Sequence, residues 1–249
     1  MSFVSAFNQY YKDNLKPYGF IKLKGIPCFG RIINNEILHT ISFHPMHSMI
    51  KGKKAFALNF SVLSLYSSNL TSEYLSFASV CLVELCRPDE DNFQKDFDNY
   101  YALHYDNHSI PAVLEKSFKQ VQDKLLPYIN TINTLEKYVE HCKLMKIALI
   151  RKDFNNYRDL YVLVKINNHE DLSDLVERYQ KRLSENPNMN PNHDYSDNIK
   201  EYQTMLYQKI VRPRDEIYAS PTLLLQTMTE LDKRKFHNTK MLKNYGFMI

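Results

Sequence analysis

The sequence predicts an α+β fold: an antiparallel meander of about four strands covered by helices, followed by a helical C-terminal part. Two segments carry most of this expectation, because their residues alternate with the period of a strand. In Glu36–His44, Ile37, His39, Ile41 and Phe43 point one way, and Leu38, Thr40, Ser42 and His44 the other. In Ala55–Tyr66, Phe56, Leu58, Phe60 and Val62 form an apolar face opposite Ala57, Asn59 and Ser61. The third observation is the flanking pattern, where apolar residues recur every three to four positions, as in helices that cover a sheet.

Taken in order, Ser2 is placed to cap a first helix whose face is marked by Phe3, Ala6, Phe7, Tyr10 and Asn14 to Leu15. Pro17 and Gly19 end it. Phe20 to Lys24 is the first strand, Gly25 and Pro27 turn the chain into Cys28 to Ile33, and Asn34-Asn35 turns it into the third strand. A loop with Pro45, Gly52, Lys51, Lys53 and Lys54 leads to the fourth. Tyr74 to Cys86 is apolar throughout and reads equally as a buried strand or a helix, closed by Arg87-Pro88; the acidic stretch Asp89 to Asp98 is expected to be exposed.

Pro111 opens a helix through Leu126, with Val113, Leu114, Phe118, Val121, Leu125 and Leu126 inward. Thr134 caps another, Leu135 to Cys142, and Leu144 to Ile150 continues apolar. The α+β domain is accordingly assigned to residues 1–150 and a mostly helical extension to 151–249. Within the extension, Leu160 to Ile166 is a short strand or helix turn, and Asp171 to Leu183 is a helix. Asn186 to Asn198, with two prolines and no periodicity, is a loop. Ile199 to Val211 and Thr222 to Phe236 are amphipathic helices, separated by Arg212-Pro213 and by Ser220-Pro221.

Composition narrows the function classes. The 249 residues are 44% apolar and 24% charged, ordinary for a globular protein large enough to bury its own core. A balance of 32 basic against 28 acidic residues is too even to mark a nucleic-acid binder, which needs clustered cations. Cys28, Cys81, Cys86 and Cys142 include no CxxC pair and lie among apolar neighbours, the setting of reduced, buried thiols. No basic segment followed by an apolar run opens the chain, and its apolar stretches fall short of the ~20 residues of a membrane span, so a cytoplasmic location is expected.

Some of these blocks are also similar to a known family. Leu15-Lys16-Pro17 with Gly19-Phe20, Phe29, the strand Glu36 to Phe43, and Phe56 with Asn59 resemble a bacterial family of domains of unknown function, number 4304 in that series. Leu126-Pro127-Tyr128-Ile129 and Thr134-Leu135-Glu136 fit the same pattern, and the resemblance runs roughly from Phe3 to Lys146. It implies an α+β domain of bacterial origin and supplies no catalytic residue.

Five places hold residues able to do chemistry. His39, His44 and His47 form the densest histidine group; residues 39 and 44 face opposite sides of a strand, whereas His44 and His47 can share an ion across the Pro45-Met46 turn, but no third metal ligand stands near. His104 and His108 flank Asp106 at a spacing that suits zinc only on a helix, whereas Asp106-Asn107 and Pro111 favour a polar loop. Lys51, Lys53 and Lys54 make a basic patch that Lys22 and Lys24 extend along the sheet, and Lys233, Arg234, Lys235, Lys240 and Lys243 make a second run. Thr40, Ser42, His44, Asn59 and Ser61 form a polar face if the third and fourth strands are neighbours, a surface for a ligand or partner or an ordinary wet face.

No phosphate loop, nucleophile elbow or zinc-protease motif occurs, so no catalytic residue, metal or cofactor is assigned. The expectation is a non-catalytic binding or regulatory protein with another protein as partner, of the kind that antitoxin and immunity proteins exemplify. Two alternatives stand beside it: an enzyme or small-molecule-binding protein using the polar face, and nucleic-acid binding through the lysine clusters.

Overall fold

A computed structural model describes residues 2–48, 50–67, 70, 80–81, 103–145, 162–164, 173, 176–177, 179–181, 183–184 and 194–249. The protein is α+β, with a helical C-terminal part. It divides into two compact units, residues 1–138 with 235–249, and residues 139–234. The chain from Lys235 onward thus belongs to the sheet-bearing unit.

In the first unit, Ser2 Oγ accepts the Ser5 amide at 3.3 Å and starts α1 (Phe3–Leu15). A single 3-10 turn, Lys16–Tyr18, follows, and Gly19 ends it at φ +78°, a conformation a β-carbon would strain. The strands are β1 (Ile21–Lys22), β2 (Cys28–Ile33), β3 (Ile37–Met46), β4 (Lys54–Ser64), β5 (Val80–Cys81) and β6 (Leu103–Tyr105). Among the described residues they form one antiparallel sheet in the order β1-β2-β3-β4-β5, with β6 pairing the start of β4. Asn34 and Asn35 both take positive φ in the β2–β3 turn, which asparagine tolerates better than other side chains. Val80–Cys81 is strand; the remainder of Tyr74 to Cys86, and Asp89 to Asp98, lie outside the described residues.

Register fixes two faces. Phe29, Arg31, Ile37, His39, Ile41, Phe43, Phe56, Leu58 and Phe60 share one, as strand alternation requires. Phe3, Phe7 and Tyr11 of α1 pack here: the Phe3 ring lies 4.7 Å from Phe56 and 4.2 Å from Tyr105, and Phe7 lies 4.5 Å from Phe43. Tyr11 carries its hydroxyl inward, 2.8 Å from Ser117 Oγ. Ser117 donates its own proton to the Leu114 carbonyl at 2.8 Å, so Tyr11 is the donor of the pair.

The opposite face is covered in part from the far end of the chain. Leu23, Cys28, Leu38, Leu63, Leu65, Leu70, Leu242 and Phe247 form one apolar cluster. A β-carbon on Gly30 would stand 2.9 Å from Phe247 Cζ, so glycine lets this ring lie on β2. Asn238, itself buried, donates to the Leu65 and Ser67 carbonyls, both at 2.8 Å, and the Lys24 amide donates to the Tyr245 carbonyl at 3.1 Å. The two Asn238 bonds satisfy carbonyls just past the end of β4.

Helices α2 (Ile110–Gln120) and α3 (Leu126–Asn130) are joined by a π-turn, Val121–Leu125, and α4 is Leu135–Met145. The six residues expected inward on the helix after Pro111 are all buried. Thr134 Oγ1 accepts the Lys137 amide at 3.3 Å at the start of α4.

In the second unit, α5 (Ser196–Leu206) runs through a π-turn, Tyr207–Val211, into α6 (Arg212–Ala219), and Pro221 opens α7 (Pro221–Asn244), whose residues from Lys235 onward belong to the first unit. Arg212-Pro213 therefore does not separate two helices as expected. Both π-turns precede an X-Pro step, and the amides of Leu126 and Arg212 reach back five residues, to the carbonyls of Val121 and Tyr207. The wider turn relieves the clash between a proline ring and the carbonyl four residues before it. The Tyr179 and Tyr202 rings stack at 4.4 Å, and Tyr218 donates to the Val162 carbonyl at 2.6 Å. Residues 162–164 are helical; the rest of Leu160 to Ile166, residues 186–193 of the expected loop and the stretch from 146 to 150 lie outside the described residues, and the end of that expected loop, Ser196 to Asn198, is instead the first turn of α5.

Candidate interaction surface

The cross-strand register pairs Thr40 with Ser61, Ser42 with Asn59 and His44 with Ala57, so the five polar residues share one face. Thr40, Ser42 and Ser61 are buried, Asn59 is half-buried and His44 is exposed. A macromolecular partner can touch His44 and the edge of Asn59; the other three are closed to it. Cys28 lies in the same row, opposite Ser42. Burial pushes its thiol up to about 12, against smaller opposing effects from the Thr40 hydroxyl and Lys22, so it stays protonated and is no nucleophile near neutral pH.

His39 points to the other face and is fully buried against Arg31, its cross-strand neighbour. Arg31 Nε lies 3.2 Å and Nη2 3.1 Å from His39 Nδ1. Because a guanidinium only donates, Nδ1 must accept, and the imidazole proton sits on Nε2, which donates to the Ile132 carbonyl at 2.9 Å. Arg31 also donates from Nη1 to the Tyr18 carbonyl at 3.1 Å and from Nη2 to Asn130 Oδ1 at 2.5 Å, with its guanidinium 4.7 Å from the Phe20 ring centre. Among the described residues no carboxylate pairs with it. Burial accordingly lowers its pKa from the ordinary arginine value. The network ties the β2–β3 hairpin to the 18–20 turn and to the end of α3. Its imidazole nitrogens are both engaged, which leaves His39 no lone pair for an ion or a substrate.

Asp106 lies in the turn between β6 and α2, where its Oδ1 accepts the amides of His108 and Ser109, each at 2.9 Å. These bonds, Ser109 foremost, hold its carboxyl below the usual range. His104 is on a strand and His108 in a turn, so their spacing does not make the helical pair that zinc would require. Among the described residues no three His, Cys, Asp or Glu side chains are placed to hold a metal ion, and no helix is long and apolar enough to cross a membrane.

The remaining feature is the β3–β4 tip. The two strands pair without interruption from Ile37–Ser64 to Met46–Ala55, and β6 braces β4 at Lys54, Ala55 and Phe56. Ser48 Oγ accepts the Ile50 amide at 3.2 Å and lies 3.0 Å from His104 Nδ1, which binds the tip to β6. Gly52 closes the turn at φ +78°. On this braced tip His44, His47, Lys51, Lys53 and Lys54 are exposed, as are Met46, 37% accessible, and Ile50, 45% accessible. Sequence reasoning singled out the three lysines but not Met46 and Ile50, whose exposure no local pattern announces. The C-terminal basic run is partly engaged within its own surroundings: Arg234 pairs with Glu230 at 3.4 Å, and Lys235 Nζ lies 3.2 Å from the Tyr66 hydroxyl and 5.0 Å from its ring centre. No family model, curated protein or solved structure matches this chain.

Proposed function

We propose that this chain acts by binding another protein and performs no catalysis of its own, in the regulatory manner of antitoxin or immunity proteins. The observation that carries the reading is the β3–β4 tip, where Met46 and Ile50 are held in solvent on a braced hairpin. Exposed apolar side chains on a rigid element bind with little loss of conformational freedom. The polar groups of the core support the same reading, because Arg31 and His39 are engaged by neighbours rather than aimed at a substrate.

The test is native mass spectrometry on tagged protein drawn from a lysate of its source organism, for the natural chain and for Met46→Glu/Ile50→Glu. Both positions are exposed, so the variant is expected to fold. A protein partner at fixed stoichiometry, lost with the double variant, is the expected result. Turnover of a metabolite by the purified chain that disappears with His44→Ala would overturn the reading.

A further inference from the structure

The tip carries two kinds of exposed group, and one partner chemistry satisfies both. Between Glu36 and Glu73 the chain has no aspartate or glutamate, so Lys51, Lys53 and Lys54 have no acidic neighbour along the sequence. Among the described residues none of the three forms an ion pair, and Asp106, which Lys53 influences, already accepts two backbone amides. Among the described residues the cationic field here is therefore not taken up by an ion pair and can meet a partner. Met46 and Ile50 lie in the same hairpin.

The backbone argues against recognition by strand addition. β2 reaches β3 only as far as the Cys28–Ser42 pair, whereas β3 continues to Met46, and Pro45 removes a donor from that overhang. Proline on an overhanging strand discourages edge pairing, so contact falls to the side chains.

We propose that the β3–β4 tip docks an acidic segment of a partner protein, its carboxylates against Lys51, Lys53 and Lys54 and an apolar side chain on Met46 and Ile50. This rests on the protein-binding reading above. A nucleic acid would use the lysines, but the chain from His44 to Lys54 holds no arginine, tyrosine, phenylalanine or tryptophan, the side chains that fork to guanine or stack on bases most often, so the mixed apolar and cationic tip is better matched by an acidic, apolar-bearing protein segment.

Three immobilised probes test it: a peptide of Asp, Glu and Leu, the same peptide with Ser for Leu, and oligo-dT. The full chain is expected on the first probe, with retention falling as salt rises. Roughly tenfold weaker binding is expected for Lys51→Glu/Lys53→Glu/Lys54→Glu, for Met46→Ser/Ile50→Ser, and for the natural chain on the serine peptide. Circular dichroism of both variants checks that they fold. Unchanged binding by either variant, no binding to the Asp-Glu-Leu peptide, or stronger retention on oligo-dT overturns the inference. The lysate experiment separates the two levels: a partner still retrieved by the lysine variant defeats the acidic docking while the protein-binding reading stands, and no partner with any chain defeats both.

Discussion

Replacing His39 with leucine removes the acceptor of a buried guanidinium and the donor to a buried carbonyl in one step. In the folded protein Arg31 Nε and Nη2 lose the ring nitrogen at 3.2 and 3.1 Å, and the Ile132 carbonyl loses its 2.9 Å donor. Each unsatisfied buried group costs about 1–3 kcal/mol, more when charged, so the variant should lose roughly 3–5 kcal/mol. Arg31→Met leaves neutral acceptors instead, one of them on the exposed Asn130, and should cost about 2–3 kcal/mol. The double variant replaces both partners with apolar groups, so its cost should fall short of the sum by about 1–2 kcal/mol. Because the chain has two compact units and need not unfold as one, native-state hydrogen exchange of β2 and β3 amides is the suitable assay. A loss below about 1 kcal/mol for His39→Leu, or strict additivity in the double variant, would refute the network as a unit.

Three further perturbations follow from particular contacts. His141 is buried, which lowers its pKa to about 4. The unfolded chain takes up a proton there below about pH 6.5 while the folded one does not. Stability is therefore lost as pH falls from about 6.5 to 4, by at most about 3 kcal/mol, and His141→Gln should flatten that part of a pH–stability profile. Asn238→Ala strips the Leu65 and Ser67 carbonyls of their 2.8 Å donors and should cost about 2–4 kcal/mol, read as earlier proteolytic cutting of the chain after Lys235. Gly30→Val puts side-chain atoms where Phe247 Cζ lies and should cost about 1–3 kcal/mol in thermal denaturation, less in a Phe247→Ala background; an equal cost in both backgrounds would show that the ring is not the obstacle.

The sequence by itself determined the local geometry of this protein. Alternation through Ile37, His39, Ile41 and Phe43 and through Phe56, Leu58, Phe60 and Val62 set the pleat and the two faces of β3 and β4, because side-chain direction in a strand depends only on position. Ser2, Gly19, Asn34-Asn35 and Thr134 each act on the few residues beside them, and each stands where the structure has the expected cap or turn. Tertiary structure decided what alternation is blind to. Period two says that Thr40 and Ser42 share a face, which Ser61 joins only through the pairing of β3 with β4, but not that this face is closed, since burial is conferred by whatever lies above it. It also decided that Arg31 meets Asn130 and that Asn238 meets Leu65, pairs far apart in the chain whose types carry no mark of one another. At Arg212-Pro213 a local rule predicted a break, and the helical run absorbed the proline in a π-turn, where backbone bonds are re-partnered rather than lost. Steric limits between neighbours along the chain are written into neighbouring residues. Coverage, remote hydrogen-bond partners and the exposure of Met46 and Ile50 exist only once distant segments have come together.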